Sequence, residues 1–301
     1  MNRQTTTIAF CKMNGLGNDF VIIDARASAD FALNDEQIRH ISARDNAQTG
    51  GCDQLLIVRA PLDSSKSDVF MEIRNNDGGE VGACGNGTRA VGAYLHRYDG
   101  QMTHKIATHG AQGTQGTQGE VITTQIDKDN QACIVAQMPP PHFAWADIPL
   151  AHKGDTGAII LDPALPPAFM VNVGNPHAVI FVADNPARYA KEYGAALETH
   201  ALFPQKANIN FALLEDEQTI RLHTWERGVG LTQACGTGAY ATAVAAIMLG
   251  KTTAQQITIR PPRYSEATPD NYIYVDYTNR NAPLVRGCVQ FDYEGEVQLC
   301  L

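Results

Sequence analysis

Short runs of apolar residues recur along most of the chain, and turn-forming residues separate them. This pattern is typical of strands. Helical spacing of apolar residues predicts two surface helices, in DEQIRHISAR, where Ile38 and Ile41 share a face, and in PARYAKEYGAALETH. The runs with the highest content of branched apolar residues predict strands in DFVIIDA, DQLLIVRA, HAVIFVA, INFALL and ITIRPP.

Two further helices have a different composition. From Ala239 to Leu249 almost every residue is small or apolar around the whole circumference, which is typical of a helix buried on all sides. The stretch GACGNGTRAVGAYLHRY in the first half is a near-copy of QACGTGAYATAVAAIMLG in the second. We expect an α+β protein in which each half is a mixed sheet, rolled or closed into a barrel, around one central buried helix.

The two halves also share their motifs in the same order. GLGNDFVII around Asn18 resembles NVGNPHAVIF around Asn175, and a similar number of residues separates Cys84 from Cys235. This repeat predicts two pseudo-symmetric domains with an active site in the cleft between them. QMPPPHF places the boundary near residue 136, and the last strand is expected to cross back. The predicted domains are residues 1–136 plus 288–301, with Cys84, and residues 137–287, with Cys235.

Charge and composition exclude several classes of partner. The formal net charge is -9 and the basic residues are scattered, which argues against nucleic acid. No segment approaches the roughly 18 apolar residues of a membrane span, and the first residues lack the apolar core of a secretory signal. We therefore expect a cytoplasmic protein without a membrane partner. A Gly-Thr-Gln repeat in THGAQGTQGTQGEVITTQ predicts an exposed hairpin tip.

Cysteine usage points away from zinc and toward two special thiols. The seven cysteines are odd in number and form no CxxC pairs, so no metal site is indicated and reduced thiols are expected. Cys84 and Cys235 precede glycine-rich helix starts, where free N–H groups and the helix dipole lower the pKa of a thiol and bind anions. The missing side chains of the glycines let a ligand approach the backbone.

Two such thiols on opposite sides of a bound carboxylate are suited to inversion at the adjacent carbon. One cysteine, as a thiolate, would remove the proton from one face, and the other, as a thiol, would deliver a proton to the opposite face. Backbone N–H groups at the helix starts would stabilise the negative charge that develops. This chemistry requires no cofactor.

The sequence resembles the diaminopimelate epimerase family of cofactor-independent amino-acid isomerases. The resemblance spans nearly the whole chain and rests on KMNGLGNDF, DQLL, NNDGGEVGACGNGTR, GNPHAV, LFPQKANINF and WERGVGLTQACGTGA, in that order. It implies interconversion of LL- and meso-2,6-diaminopimelate, a step in lysine and peptidoglycan precursor biosynthesis. It also implies that Cys84 and Cys235 are the acid/base pair, that no cofactor is used and that the protein is a homodimer.

The resemblance assigns further residues. His177 would support the charge or geometry around a cysteine, and Tyr293 in DYEGEVQL would lie at the dimer interface. Cys52 departs from the family, which usually has an aromatic residue at that position, so pocket packing beside Gln54 could differ. The substrate-binding positions that carry over are Asn18, Gln54, Asn75, Gly85, Asn86, Asn175, Asn208, Glu226, Arg227, Gly236 and Thr237.

Two other interpretations account for paired cysteines. A proline racemase or hydroxyproline epimerase would use the same two-thiol logic on a ring substrate, although ERG at 226–228 and the set of amides fit a longer, doubly zwitterionic substrate better. A thiol redox sensor or binding protein would instead close a disulfide between Cys84 and Cys235. Substrate trials with the reduced protein separate these alternatives.

Overall fold

A computed structural model describes residues 5–109, 120–262, 264–265 and 271–300. The predicted hairpin tip, residues 110–119, lies outside the described residues. The chain divides into two compact units, Met1–Ala136 with Cys288–Leu301, and Gln137–Gly287. Each unit is α+β, as the hydrophobic pattern predicts.

Within the described residues up to 137, the chain forms two helices and eight strands, and the last of these strands leads into the second unit. The elements are β1 (Thr5–Gly15), β2 (Asn18–Asp24), α1 (Asp35–Ser42), β3 (Gln54–Arg59), β4 (Val69–Asn75), β5 (Glu80–Val81), α2 (Gly85–Asp99), β6 (Thr103–Ala107), β7 (Val121–Ile126) and β8 (Cys133–Gln137).

The second unit has the same sequence of elements, and the chain then returns to the first unit in one long strand. The elements are β9 (Ala168–Asn172), β10 (Pro176–Phe181), α3 (Pro186–Glu198), β11 (Asn208–Leu214), β12 (Thr219–Glu226), β13 (Gly230–Leu231), α4 (Gly236–Met248), β14 (Gln256–Arg260), β15 (Ile273–Asp276), β16 (Leu284–Cys288) and β17 (Gln290–Cys300).

Strand pairing repeats from one unit to the other. In the first unit β1 is antiparallel to β2, β2 is parallel to β3, β3 is antiparallel to β4, and β4 pairs with β5 and, in parallel, with β6. In the second unit β9 to β14 pair in the same order and with the same directions. This shared pattern confirms the predicted duplication. The first unit adds β17, antiparallel to β1.

Alternation along the strands divides the first unit into two apolar layers. Successive side chains of a strand point to opposite faces of the sheet, so odd and even positions reach different helices. One face of the sheet packs on α2. The other face packs on α1, which is a surface helix, as predicted. The α2 layer includes Phe20, Ile22, Leu56, Val58, Ala90, Val91 and Leu95, and the α1 layer includes Val21, Ile23, Ile38, Ile41, Leu55 and Ile57.

The second unit places a fully buried helix at its centre. Every residue of α4 from Gly236 to Ala246 is buried, and α4 packs against β9 to β12, β14 and β15. α3 lies on the other face of the sheet, where Ala190 and Leu197 pack against Met170, Ile180 and Phe211. An all-apolar helix can be stable only in such a position.

One prediction about the cysteines is wrong. Cys133 and Cys288 form a disulfide, so the expectation of reduced thiols fails for this pair. The two residues are separated by 155 positions in the sequence, and only the fold brings them together. Among the residues that the structure describes, the cysteines outside this disulfide are Cys11, Cys52, Cys84 and Cys235. No helix within the described ranges is long and apolar enough to cross a membrane.

Candidate active site

Cys84 is the N-cap residue of α2. Its backbone is extended, and its Sγ accepts a hydrogen bond from the Gly87 N–H at 3.3 Å. Its carbonyl accepts from both the N–H and the hydroxyl of Thr88, at 2.8 and 2.9 Å. A side-chain acceptor is the normal requirement at an N-cap, and here a sulfur atom fills it. The thiol is therefore fixed over the first turn of the helix.

Cys235 has the same role at α4. Its Sγ accepts from the Gly238 N–H at 3.3 Å and lies 3.5 Å from the Thr237 hydroxyl. Its carbonyl accepts the first helical hydrogen bond, from Ala239, at 2.9 Å. The sequence prediction that both cysteines stand at helix N-termini is thus confirmed. At each N-terminus the first backbone N–H groups have no partner within the helix and can bind an anion.

Four predicted binding residues of the first unit form two pairs beside α2. Asn86 donates from Nδ2 to Oδ1 of Asn18 at 3.3 Å, and the buried Arg89 donates to Oδ1 of Asn86. Gln54 and Asn75 are register partners on β3 and β4, and Nε2 of Gln54 lies 3.2 Å from Oδ1 of Asn75. The ends of three strands, β2, β3 and β4, and the start of α2 therefore carry these four amides.

Oε1 of Gln54 has an unusual environment. It is buried and accepts no hydrogen bond from the part of the chain that the structure describes. A buried acceptor without a donor costs free energy unless a ligand or water supplies one. This atom is therefore ready to accept a hydrogen bond from a ligand.

In the second unit a line of hydrogen bonds runs from β12 to Cys235. Thr224 donates to Oδ1 of Asn210 at 3.0 Å, and Nδ2 of Asn210 lies 3.0 Å from Nδ1 of His177. Nε2 of His177 lies 2.8 Å from Oδ1 of Asn175, whose Nδ2 lies 3.4 Å from the Thr237 hydroxyl. We call Thr224, Asn210, His177, Asn175 and Thr237 the relay.

His177 is fully buried within this relay and is held neutral. Burial, with a further contribution from the positive charge of Arg227, lowers the pKa of His177 to about 3. A charged imidazole would have to give up water without gaining a carboxylate partner in the relay. His177 consequently acts at neutral pH as one hydrogen-bond donor and one acceptor.

Arg227 lies on the turn after β12. Its backbone N–H donates to Oδ1 of the buried Asn208 at 3.0 Å, and its Nη1 donates to the carbonyl of Gln205 at 3.3 Å. No carboxylate of the described residues lies within salt-bridge distance of its half-buried guanidinium, and burial lowers the pKa of Arg227. The neighbouring Glu226 accepts from the Thr232 hydroxyl at 2.6 Å. The turn therefore carries one residue of each charge.

Glu198, at the end of α3, holds the turn that carries Arg227. Its carboxylate accepts from Trp225 Nε1 at 2.8 Å and from the Gly228 N–H at 2.9 Å, and Lys206 lies 3.3 Å away. Burial raises the pKa of Glu198, but these hydrogen bonds outweigh burial and the net shift is downward. Sequence reasoning did not identify Glu198, Asn210 or Thr224. Asn210 and Thr224 are polar residues at strand positions where an apolar, buried side chain is expected. This mismatch is the sequence feature that could have identified them.

Tyr293 packs against the loop that precedes β3. Its hydroxyl donates to the carbonyl of Thr49 at 2.8 Å, and the residue is 39 % exposed. Cys52 is buried, and its thiol donates to the Ser42 hydroxyl at 3.4 Å on the α1 side of the sheet. Neither residue joins the groups at the two helix starts.

Solved structures define the class of protein by its fold. A hydroxyproline epimerase from Agrobacterium vitis, with bound trans-4-hydroxy-L-proline, matches with a TM-score of 0.64 at 11% identity over 99% of this chain and 94% of its own. A phenazine biosynthesis protein of the PhzF family from Bacillus anthracis matches with a TM-score of 0.61 at 17% identity over 97% and 99%. The chain therefore has the two-unit α+β fold that these proteins share.

Sequence comparison narrows the class to one family. The family model described as diaminopimelate epimerase matches residues 10–143 and 169–263. The diaminopimelate epimerases of Sphingopyxis alaskensis and Phenylobacterium zucineum are 42% and 41% identical over 248 and 247 residues, which is 80% of this chain and 82% and 83% of those proteins. The chain belongs to the diaminopimelate epimerase family, which is a family of isomerases.

Proposed function

We propose that this chain interconverts LL- and meso-2,6-diaminopimelate, with Cys84 and Cys235 as the acid/base pair. The observation that carries the proposal is the matched placement of the two thiols, each as the N-cap of a glycine-started helix in its own unit. Family membership supports the substrate, because the relatives carry that name.

The proton chemistry needs one thiolate and one thiol. The thiolate takes the α-proton and becomes a thiol, and the C–H electron pair is left on the α-carbon. The other thiol gives its proton to the opposite face and becomes a thiolate. Nothing is oxidised or reduced, and the reverse reaction exchanges the two roles.

The reacting carboxylate is assigned to the helix starts. The proposal requires N–H groups at Gly85 and Asn86 of α2, and at Gly236 and Thr237 of α4, to bind it. Donors fixed in advance stabilise the charge that spreads into the carboxylate when the α-proton leaves. Because these donors are already in position, no free energy is spent on reorienting them, and the activation barrier for proton removal is lower.

The far end of the substrate carries a second ammonium and a second carboxylate. Arg227, whose guanidinium has no carboxylate within salt-bridge distance among the described residues, is assigned to the carboxylate, and Glu226 to the ammonium. The buried Oε1 of Gln54 offers an acceptor that an ammonium N–H can use. Asn18, Asn75, Asn175 and Asn208 supply amides that suit either charge sign.

Assembly and location belong to the same proposal. We expect a homodimer in the cytoplasm, with the exposed Tyr293 on β17 at the subunit contact. Analytical ultracentrifugation of the purified chain and of Tyr293→Ala tests the dimer. A wild-type monomer at micromolar concentration that still turns over would contradict it.

The decisive experiment follows deuterium. The reduced protein, without added cofactor, is incubated with LL-diaminopimelate in deuterated water, and NMR follows the α-proton signal and the formation of the meso isomer. Deuterium entering one centre as meso product forms supports the proposal. Exchange with L-proline or trans-4-hydroxy-L-proline alone would move the assignment to a ring substrate. No exchange with any of them by the reduced protein would favour the redox interpretation.

A further inference from the structure

The hydrogen bonds of the relay all run in one direction, from donor to acceptor, and the carbonyl oxygen of Ala178 determines that direction. Nδ2 of Asn210 lies 3.2 Å from the carbonyl oxygen of Ala178, and a carbonyl can only accept. The atom facing it must therefore be the NH2 group of Asn210. Oδ1 of Asn210 then faces Thr224, whose hydroxyl donates to it at 3.0 Å.

Each later step follows from that orientation. The NH2 group of Asn210 also faces Nδ1 of His177, so Nδ1 must accept and the ring proton must stand on Nε2. Nε2–H donates to Oδ1 of Asn175, and the NH2 group of Asn175 then faces the Thr237 hydroxyl. Because that oxygen accepts from Asn175, its own proton is free to point to Sγ of Cys235, 3.5 Å away.

The matching positions of the first unit hold apolar residues. The shared strand pairing makes Phe20 the counterpart of His177, because Phe20 pairs with Gln54 as His177 pairs with Asn208. In the same way Leu56 and Ile73 are register partners where the second unit has Asn210 and Thr224. Three apolar residues therefore occupy the positions of three relay residues, and all of them are buried.

We propose that Asn210 is a positioning residue for Cys235: by fixing the ring proton of His177 on Nε2, it turns the Thr237 hydroxyl toward the Cys235 sulfur. A thiolate at Cys235 then receives hydrogen bonds from the Gly238 N–H and from the Thr237 hydroxyl, and the hydrogen bond from Thr237 favours the thiolate form of Cys235. This inference rests on the proposed function for its catalytic meaning.

The test measures each thiol separately and does not depend on turnover. Iodoacetamide alkylation is followed by mass spectrometry of the Cys84 and Cys235 peptides across a pH series. The pH at which each rate reaches half of its plateau reports thiolate formation and is independent of how accessible the sulfur is. We expect this pH to be lower for Cys235 in the wild-type protein than in a variant whose Thr237 hydroxyl is missing or turned away.

Two substitutions weaken or remove the hydrogen bond from the Thr237 hydroxyl to Cys235. Asn210→Leu takes away the NH2 group from which Nδ1 of His177 accepts, so the ring proton is no longer fixed on Nε2. Thr237→Val removes the hydroxyl directly, and Thr237→Ser restores it. The alkylation rate of Cys235 at pH 7 should fall about tenfold in Thr237→Val, the effect of one hydrogen bond to an ion, and by a smaller factor in Asn210→Leu. The rate at Cys84 should stay unchanged.

A matched control separates positioning from folding. Thr124→Val also removes a buried hydroxyl donor, one that bonds the His104 carbonyl in the first unit, and it should leave Cys235 unaffected. In the Asn210 and Thr237→Val variants that retain turnover, kcat should fall with KM unchanged. The acid limb of the plot of kcat against pH should move to higher pH. Circular dichroism checks folding, and if Asn210→Leu fails to fold, the comparison of Thr237→Val with Thr237→Ser decides.

The possible outcomes are distinct. Equal changes at Cys84 and Cys235, no change at Cys235, or a serine variant that behaves like the valine variant would each overturn the inference. A wild-type protein without epimerase activity whose Cys235 still responds to Asn210 would reject the proposed function and leave the positioning role intact.

Discussion

Oδ1 of Asn210 lies directly beneath Gly238: a Cβ built on that glycine would fall 2.6 Å from it and 2.9 Å from the Thr224 hydroxyl. The matching Gly87 would place a Cβ 3.2 Å from a methyl group of Leu56. Glycine at residue 238 is thus required by the polar residues below it. A Cβ at residue 87 would meet a flexible apolar side chain and, at an ordinary contact distance of 3.4 Å, Sγ of Cys84.

Gly238→Ala should therefore destabilise the protein by about 1–3 kcal/mol, the usual cost of overpacking, because Asn210 is held in place on two sides. Gly87→Ala should be close to neutral, since the Leu56 methyl can give way and alanine gains helix propensity. Urea unfolding of both variants measures the difference. Equal losses of free energy would mean that the relay does not constrain the start of α4.

Loss of either proposed acid/base thiol should abolish turnover. Cys84→Ala and Cys235→Ala each remove a proton donor or acceptor, so we expect the rate to fall by at least about 10²–10⁴-fold. The NMR exchange assay measures the rate. Cys11→Ala removes a buried thiol from the α2 apolar layer and is the control, with activity retained. A cysteine whose alanine variant still turns over has no place in the mechanism.

Arg227 should contribute to binding. Arg227→Ala removes a charge-assisted hydrogen bond to the distal carboxylate, so KM should rise about 10- to 100-fold. Arg221→Ala removes an exposed guanidinium that pairs with Glu215 and should leave KM unchanged. Steady-state kinetics of the two variants gives the comparison, and an unaltered KM for Arg227→Ala would reject the assignment.

Glu198 should act through Arg227. In Glu198→Gln an NH2 group replaces one carboxylate oxygen, so either Trp225 or Gly228 loses the acceptor of its N–H group. The turn at residues 226–230 is then held less firmly, and the free energy of unfolding should fall by about 1–3 kcal/mol. KM should rise with it, because Arg227 is no longer held in place. Glu296→Gln, at an exposed position on β17, is the control for loss of charge. A stability loss without any change in KM would limit Glu198 to a structural role.

The stability of the protein should depend on pH through His177. In the unfolded chain His177 binds a proton near pH 6.5, whereas in the folded protein its pKa is about 3, so the unfolded state binds more protons between these values. The free energy of unfolding should therefore fall as pH drops below 6.5, by up to about 1.4 kcal/mol per pH unit from this group. His177→Gln should flatten that slope. The same slope in both proteins would show that His177 titrates normally.

The sequence indicated most of what depends on local pattern. The helix starts at Cys84 and Cys235 follow from glycines beside an apolar run, and the strands around Phe20 and Phe211 follow from short apolar runs between turn-forming residues. The relay did not follow, because Asn210 and Thr224 lie far from Cys235 in the chain and became its neighbours only through strand pairing. For the same reason the Cys133–Cys288 disulfide was missed, since no local signal links two strand cysteines 155 residues apart.

The pairing of β1 with β17 has a consequence for how the chain acquires its structure during synthesis. β1 leaves the ribosome long before its partner β17, which spans Gln290–Cys300. The second unit, by contrast, has all its strands once residue 287 has emerged. The unit that is translated later is therefore the first that can fold to completion, and the earlier one must wait with an open strand edge.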